Sequence, residues 1–145
     1  MKRDNLFARI MLAWVAAGHV LTGLLLFFSG EGGLRVVQAM YGASFEAQPQ
    51  AVYLVRPLGA FMLALGLLQA RAAMEPWRLR AVLDATILVF ALRQIQRMVW
   101  APAVFTLFGL TPARHWIGTA FFFATLVLLV VARVKMKPPP ASVEG

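Results

Sequence analysis

Trp116-Ile-Gly-Thr-Ala-Phe-Phe-Phe-Ala-Thr-Leu-Val-Leu-Leu-Val-Val-Ala-Arg-Val134 holds a single charge, Arg133, next to its end. A helix needs roughly 20 apolar residues to cross a hydrocarbon core about 30 Å thick, and this stretch supplies them. A barrel strand would alternate lipid-facing and lumen-facing residues, which this run does not. Buried in lipid, its backbone must satisfy its own hydrogen bonds, as a helix does. Three further runs have the same character: Ile10 to Phe28, Leu54 to Ala73 and Ala81 to Val99. The expected fold is therefore all-α, a polytopic membrane protein whose four transmembrane helices form one bundle over residues 1–136. Residues 137–145, Lys-Pro-Pro-Pro-Ala-Ser-Val-Glu-Gly, cannot continue a helix and have nothing to bury, so a disordered tail is expected there.

Composition points the same way. Of 145 residues, 61% are hydrophobic and only 14% charged, far from the balance of a soluble domain. Lys2, Arg3 and Arg9 give the first run the basic flank of a secretory leader. The run is longer than a usual leader core, however, and Phe27 and Phe28 stand where cleavage needs a small residue, so a retained span is expected. The chain has no cysteine, which excludes thiol redox chemistry and thiolate metal sites within it.

The net charge of +8 is scattered between the apolar runs, so membrane topology explains it better than nucleic acid, and no nucleic-acid partner is expected. Lys2, Arg3, Arg9, Arg71, Arg78, Arg80, Arg133, Lys135 and Lys137 would share one side of a four-span protein, against Arg35, Arg56 and Arg114 on the other. By the positive-inside rule the chain belongs in a bacterial cytoplasmic (inner) membrane with both termini cytoplasmic. Trp77 then marks the inner interface, and Trp100 and Trp116 the outer one.

Between the first two runs, Ser29-Gly-Glu-Gly-Gly33 reads as a chain break. Leu34, Val37, Tyr41 and Phe45 then recur at helical spacing, which predicts a short helix in the outer interface, ended by Pro49. Gly59, Gly66 and Ala73 on the second span, and Ala16 and Gly23 on the first, form small-residue stripes that let helix backbones approach closely.

The third run carries the candidate site, Arg93-Gln94-Ile-Gln96-Arg97. A charge at the bilayer centre costs about 2.5 to 3.5 kcal/mol on insertion scales, so each arginine needs relief. Arg97 lies within snorkelling reach of the interface at Trp100, whereas Arg93 is a turn deeper. A spacing of four puts both on one face, which Gln94 and Gln96 widen. That face calls for an anion or carbonyl: Glu31 or Glu46 from this chain, a lipid phosphate, a polar-headed quinone, or an acid of a partner subunit.

His19, in the middle of the first span, is expected to bind helix to helix by hydrogen bonding across to the third span, with proton carriage and haem ligation as the other roles open to an imidazole at that depth. A haem held by His19 and His115 is disfavoured, because the two lie about 15 Å apart in depth. Asp84 is expected to pair locally with Arg80, with Arg71 approaching from the same side. No catalytic carboxylate pair, triad or metal-binding cluster stands out in the sequence.

The stretch from Arg56 to Arg97, with Arg56-Pro-Leu-Gly59, Leu63-Ala-Leu-Gly-Leu67 and an arginine-bearing third span, resembles the small DoxX-like four-helix membrane proteins. The resemblance implies a four-helix bundle and a link to quinone-associated respiratory complexes. It carries over to Arg56, Gly59, Gly66 and the Arg93/Arg97 face, and it makes a quinone the implied cofactor. His115-Trp116 stands where some members have an acid. The leading functional expectation is thus a non-catalytic subunit or accessory protein of a membrane complex, binding lipid, quinone or a partner subunit, or another copy of itself. A small oligomeric transporter depending on His19 or Arg93 is the alternative. A membrane enzyme acting on a lipid-like substrate, with His19 and Asp84 as its acid-base groups, is the third.

Overall fold

The computed structural model describes residues 5–44, 46 and 48–138, which form helices and no strand. The helices are α1 (Leu6–Ser29), α2 (Glu31–Tyr41), α3 (Pro49–Met74), α4 (Arg80–Val99), α5 (Ala101–Phe108) and α6 (Pro112–Val134). Three of them, α1, α3 and α6, are long and apolar enough to cross a membrane. Arg80, Asp84, Arg93 and Arg97 dilute the apolar character of α4, so the expected count of four is met for three.

The distribution of side chains is that of a body solvated by lipid. Phe61, Ile117, Phe28 and Val134 are among the apolar side chains facing outward, while His19, Gln69, Thr86, Gln94, His115 and Thr119 are buried. In water that arrangement would leave a large apolar surface exposed. In hydrocarbon it lets polar groups find partners between helices.

α1 and α3 run antiparallel and meet backbone to backbone. A Cβ built on Gly23 would stand 2.6 Å from the Leu63 nitrogen, and one on Gly59 would stand 2.6 Å from the Phe27 nitrogen. One on Gly66 would reach within 2.9 Å of the Val20 nitrogen and 3.2 Å of the Ala16 carbonyl oxygen. The small-residue stripes read from the sequence are thus the seam of this pair. α4 and α6 form a second antiparallel pair, joined at one end by Asp84 to Arg133 and towards the other by Arg97 to Thr119. Leu12, Val15, Leu83, Phe90 and Leu129 fill the core between the pairs.

The chain turns from α1 into α2 at Gly30, whose φ of 51° favours glycine. Helix resumes at once with Glu31. The break expected over Ser29–Gly33 therefore shrinks to one residue, because Gly33 is needed inside α2, where its Cα lies against the Leu25 backbone. The predicted interfacial helix starts earlier than Leu34 and ends at Tyr41, with Leu34 buried as its periodicity requires. Phe45 lies outside the described residues. α3 begins at Pro49, five residues ahead of the predicted span, because proline is well placed at a first helical position. Arg56 accordingly sits within α3. The link between α4 and α6 contains α5. α6 starts at Pro112 behind Thr111, whose side chain accepts from the Arg114 backbone N–H.

At the other end of the molecule, Asn5 closes onto Lys137, three residues beyond the last helix. Its Nδ2 donates to the Lys137 carbonyl at 3.0 Å, and its Oδ1 accepts from the Lys137 N–H at 2.8 Å. Lys137, placed by sequence at the start of the tail, is therefore tied down. Residues 139–145 lie outside the described residues.

Candidate functional site

Two polar clusters cross the apolar core. The first runs from α1 through α3 to α4. His19 Nδ1 lies 2.8 Å from Gln69 Oε1, Gln69 Nε2 donates to Thr86 Oγ1 at 3.0 Å, and the Thr86 hydroxyl donates to the Val82 carbonyl at 2.8 Å. A carbonyl only accepts, so the Thr86 hydroxyl gives its proton to Val82 and receives from Gln69. That leaves the Gln69 oxygen facing His19, so Nδ1 carries the proton. The Phe90 ring stands edge-on to the imidazole with centroids 6.1 Å apart. By hydrogen bonding His19 ties α1 to α3, and it is linked to α4 through Gln69 and through the ring contact with Phe90.

The second cluster joins α4 to α6. Arg97 Nε donates to Thr119 Oγ1 at 2.9 Å and its Nη2 to the His115 carbonyl at 2.9 Å. Gln94 Nε2 donates to the Thr119 carbonyl at 3.2 Å, and the Thr119 hydroxyl donates back to His115 O. His115 is fully buried, with Nε2 3.1 Å from the Arg97 carbonyl and Phe105 edge-on to its ring at 5.1 Å. Arg93 lies over the Phe122 ring at 4.1 Å and Arg97 over the same ring at 5.5 Å, a placement that offsets part of the cost of burying a cation. Gln94 Oε1 and His115 Nδ1 are buried and make no hydrogen bond among the described residues.

Of the residues singled out in the sequence, Arg93, Gln94 and Arg97 come together, with His19 on their inner flank. Gln96 does not join them: it is exposed, and its backbone carbonyl caps the end of α4 by accepting from the Trp100 N–H. Arg56 stands elsewhere, its guanidinium beside Gly30 where α1 ends. A cation there favours the negative end of the helix dipole. Glu31 pairs with Arg35 rather than with the Arg93/Arg97 face.

The local pairing expected of Asp84 with Arg80 gives way to a longer one. Asp84 binds Arg133 of α6 at 2.6 and 3.3 Å, Arg80 lies over the Trp77 ring at 5.0 Å, and Arg71 binds Glu75 at 2.8 Å. His19 and Asp84, the acid-base pair an enzyme reading requires, therefore belong to separate networks. Sequence reasoning missed Gln69, Thr86 and Thr119 as members of the clusters. The available signal was polarity inside an apolar run, since a polar side chain at membrane depth faces a neighbouring helix.

Above the second cluster a pocket of about 440 Å³ opens between α2, α4 and α6. Arg97 and Arg114 supply its charge, and Met40, Ile117, Phe121 and Phe122 are among its walls. Gly118 makes room for the Arg97 guanidinium, since a Cβ there would meet Nη2 at 2.9 Å. Arg114 packs against Gly42, which caps the C-terminus of α2 with a φ of 69°.

Set against known proteins, the chain matches no family model, no curated protein and no solved structure.

Proposed function

We propose that this chain is a non-catalytic subunit or accessory protein of a membrane complex, crossing the bilayer four times. The observation that carries the reading is where the buried polar groups go. His19, Gln69 and Thr86 tie α1 to α3 and α4, and Gln94, Arg97, His115 and Thr119 tie α4 to α6. Groups spent on holding helices together build a scaffold.

Parity supports the fourth crossing. If α1, α3 and α6 cross, an odd count would put Asn5 and Lys137 on opposite sides of the bilayer, yet they share two hydrogen bonds. α4 has 20 residues and so measures about 30 Å at 1.5 Å per residue, which matches the hydrocarbon thickness of about 30 Å. Its charged residues are accommodated by α6, through Arg133 at one end and Thr119 and the His115 carbonyl towards the other. On this reading the charge distribution favours both termini on the cytoplasmic side of a bacterial inner membrane. The DoxX-like character, and with it a quinone-linked complex, rests on the pattern from Arg56 to Arg97 alone.

The chain lacks cysteine, so single cysteines introduced at Arg78, Lys137 and Gln48 report topology without background. Four crossings put positions 78 and 137 within reach of an impermeant thiol reagent from one face and position 48 from the other. The accessory role is tested by native electrophoresis of mild-detergent extracts. A discrete larger complex that dissociates in harsh detergent supports it. A bare monomer that catalyses turnover or solute flux overturns it.

A further inference from the structure

We propose that the pocket between α2, α4 and α6 binds an anionic amphiphile, a molecule with one phosphate or carboxylate head on a hydrocarbon chain. The groups that line the pocket, and their order along the bundle, suit that occupant. Arg97 is held from α6 through Nε and Nη2, so its cation is oriented before any ligand arrives. Arg114 is held against Gly42 at the end of α2. Two guanidiniums fixed on different helices, each with planar donor edges, form a receptor for an oxyanion. Their nearest aromatic neighbours along the chain are Trp100 and Trp116, the residue type that collects at headgroup level.

The remaining walls are apolar and extend along α6 past Arg114, beside and beyond the level where Gly118 meets the Arg97 guanidinium. Phe121 follows Arg114 by seven residues on α6, about 10 Å further along the helix. Ile117 lies between them, with Phe122 beyond and Met40 facing from α2. Charge at Arg114 with hydrocarbon further along α6 is the order in which an acidic amphiphile lies in a leaflet. The site shares Arg97 with the α4–α6 cluster but requires neither a quinone nor a partner subunit. It does rest on α6 crossing the membrane.

The test is a binding titration on the full chain purified in a non-ionic detergent, read by native mass spectrometry. The probes are short-chain phosphatidic acid and decanoate, with short-chain phosphatidylcholine and inorganic phosphate as comparisons. Saturable one-to-one binding of the acidic amphiphiles is expected. R114Q, which removes one cation, and I117W, which fills the apolar wall while keeping both charges, should each weaken it about tenfold, the loss of one charge-assisted contact. R35Q, outside the pocket, should bind as the wild type does. Stronger binding of the phosphate or of the carboxylate head identifies the source, and either upholds the proposal. Phosphatidylcholine binding as tightly as phosphatidic acid, inorganic phosphate competing as well as the amphiphile, or unchanged affinity in both R114Q and I117W would overturn it. Binding in detergent does not depend on the number of crossings, so it is judged separately from the cysteine-labelling result.

Discussion

Arg97 and His115 hold each other through their backbones: Arg97 Nη2 donates to the His115 carbonyl at 2.9 Å, and His115 Nε2 donates to the Arg97 carbonyl at 3.1 Å. Each side chain thus serves the other helix, and the pair locks α4 to α6 at one register.

Loss of either partner should loosen that lock. Arg97→Met leaves the His115 carbonyl with the Thr119 hydroxyl alone, and His115→Phe leaves the Arg97 carbonyl to its helix. Interhelical hydrogen bonds in membranes are worth about 0.6 kcal/mol on average and up to about 1.7 kcal/mol. Each single variant should cost about 1 to 2 kcal/mol in reversible unfolding from mixed micelles, and the double variant less than the sum of the two. Strict additivity in that cycle would mean the two residues are not coupled.

The α1–α3 seam makes a sharper steric prediction. A methyl at Gly59 meets the Phe27 and Leu26 backbone, which cannot rotate away, so Gly59→Ala must push the helices apart. Overpacking of this kind costs about 1 to 3 kcal/mol. A Cβ on Gly32 would meet only the Ser29 Cβ at 3.8 Å, so Gly32→Ala should leave stability unchanged or slightly raised. Thermal unfolding of both variants in one detergent makes the comparison, and equal melting temperatures would contradict the close approach.

The His19–Gln69–Thr86 chain should show the asymmetry between breaking a polar pair and replacing it. Gln69→Leu strands the Nδ1–H of His19 and costs about 1 to 3 kcal/mol, the penalty of an unsatisfied buried donor. Adding His19→Phe removes the stranded group, so the double variant should be more stable than Gln69→Leu alone. Unfolding free energies in that order support the chain, and a double variant that is worse than Gln69→Leu argues against it.

Much of this architecture was legible in the sequence because it follows from local periodicity. The apolar runs located α1, α3 and α6, and the sequence span 81–99 nearly coincides with α4 (Arg80–Val99). The glycine spacing marked the α1–α3 seam because the seven-residue interval of Gly59 and Gly66 keeps them on one helix face. What escaped depends on distant coincidences. Arg97, within snorkelling reach of the interface at Trp100, also spends two donors on α6, which requires Gly118 opposite to admit its guanidinium. The partner of Asp84 lies 49 residues away, so no helical spacing points to it. Arg114 entered the sequence reading only as an outer-side charge, because its place in the pocket comes from α2 folding back beside α6 after the turn at Gly30.

The Asp84–Arg133 pair should contribute little despite its short contact. Both side chains are substantially exposed, Asp84 at 49% and Arg133 at 35%, and solvent screens pairs of that kind. Asp84→Asn should cost less than about 1 kcal/mol, and the difference from wild type should shrink further as salt is raised, because the Debye length falls to about 3 Å at 1 M. A larger, salt-independent loss would mean that the pair lies in low dielectric. The hydrocarbon boundary would then sit further along α4 and α6 towards the chain termini. Chemical unfolding at low and at high salt separates the two outcomes, and so measures how much of α4 lies in the membrane.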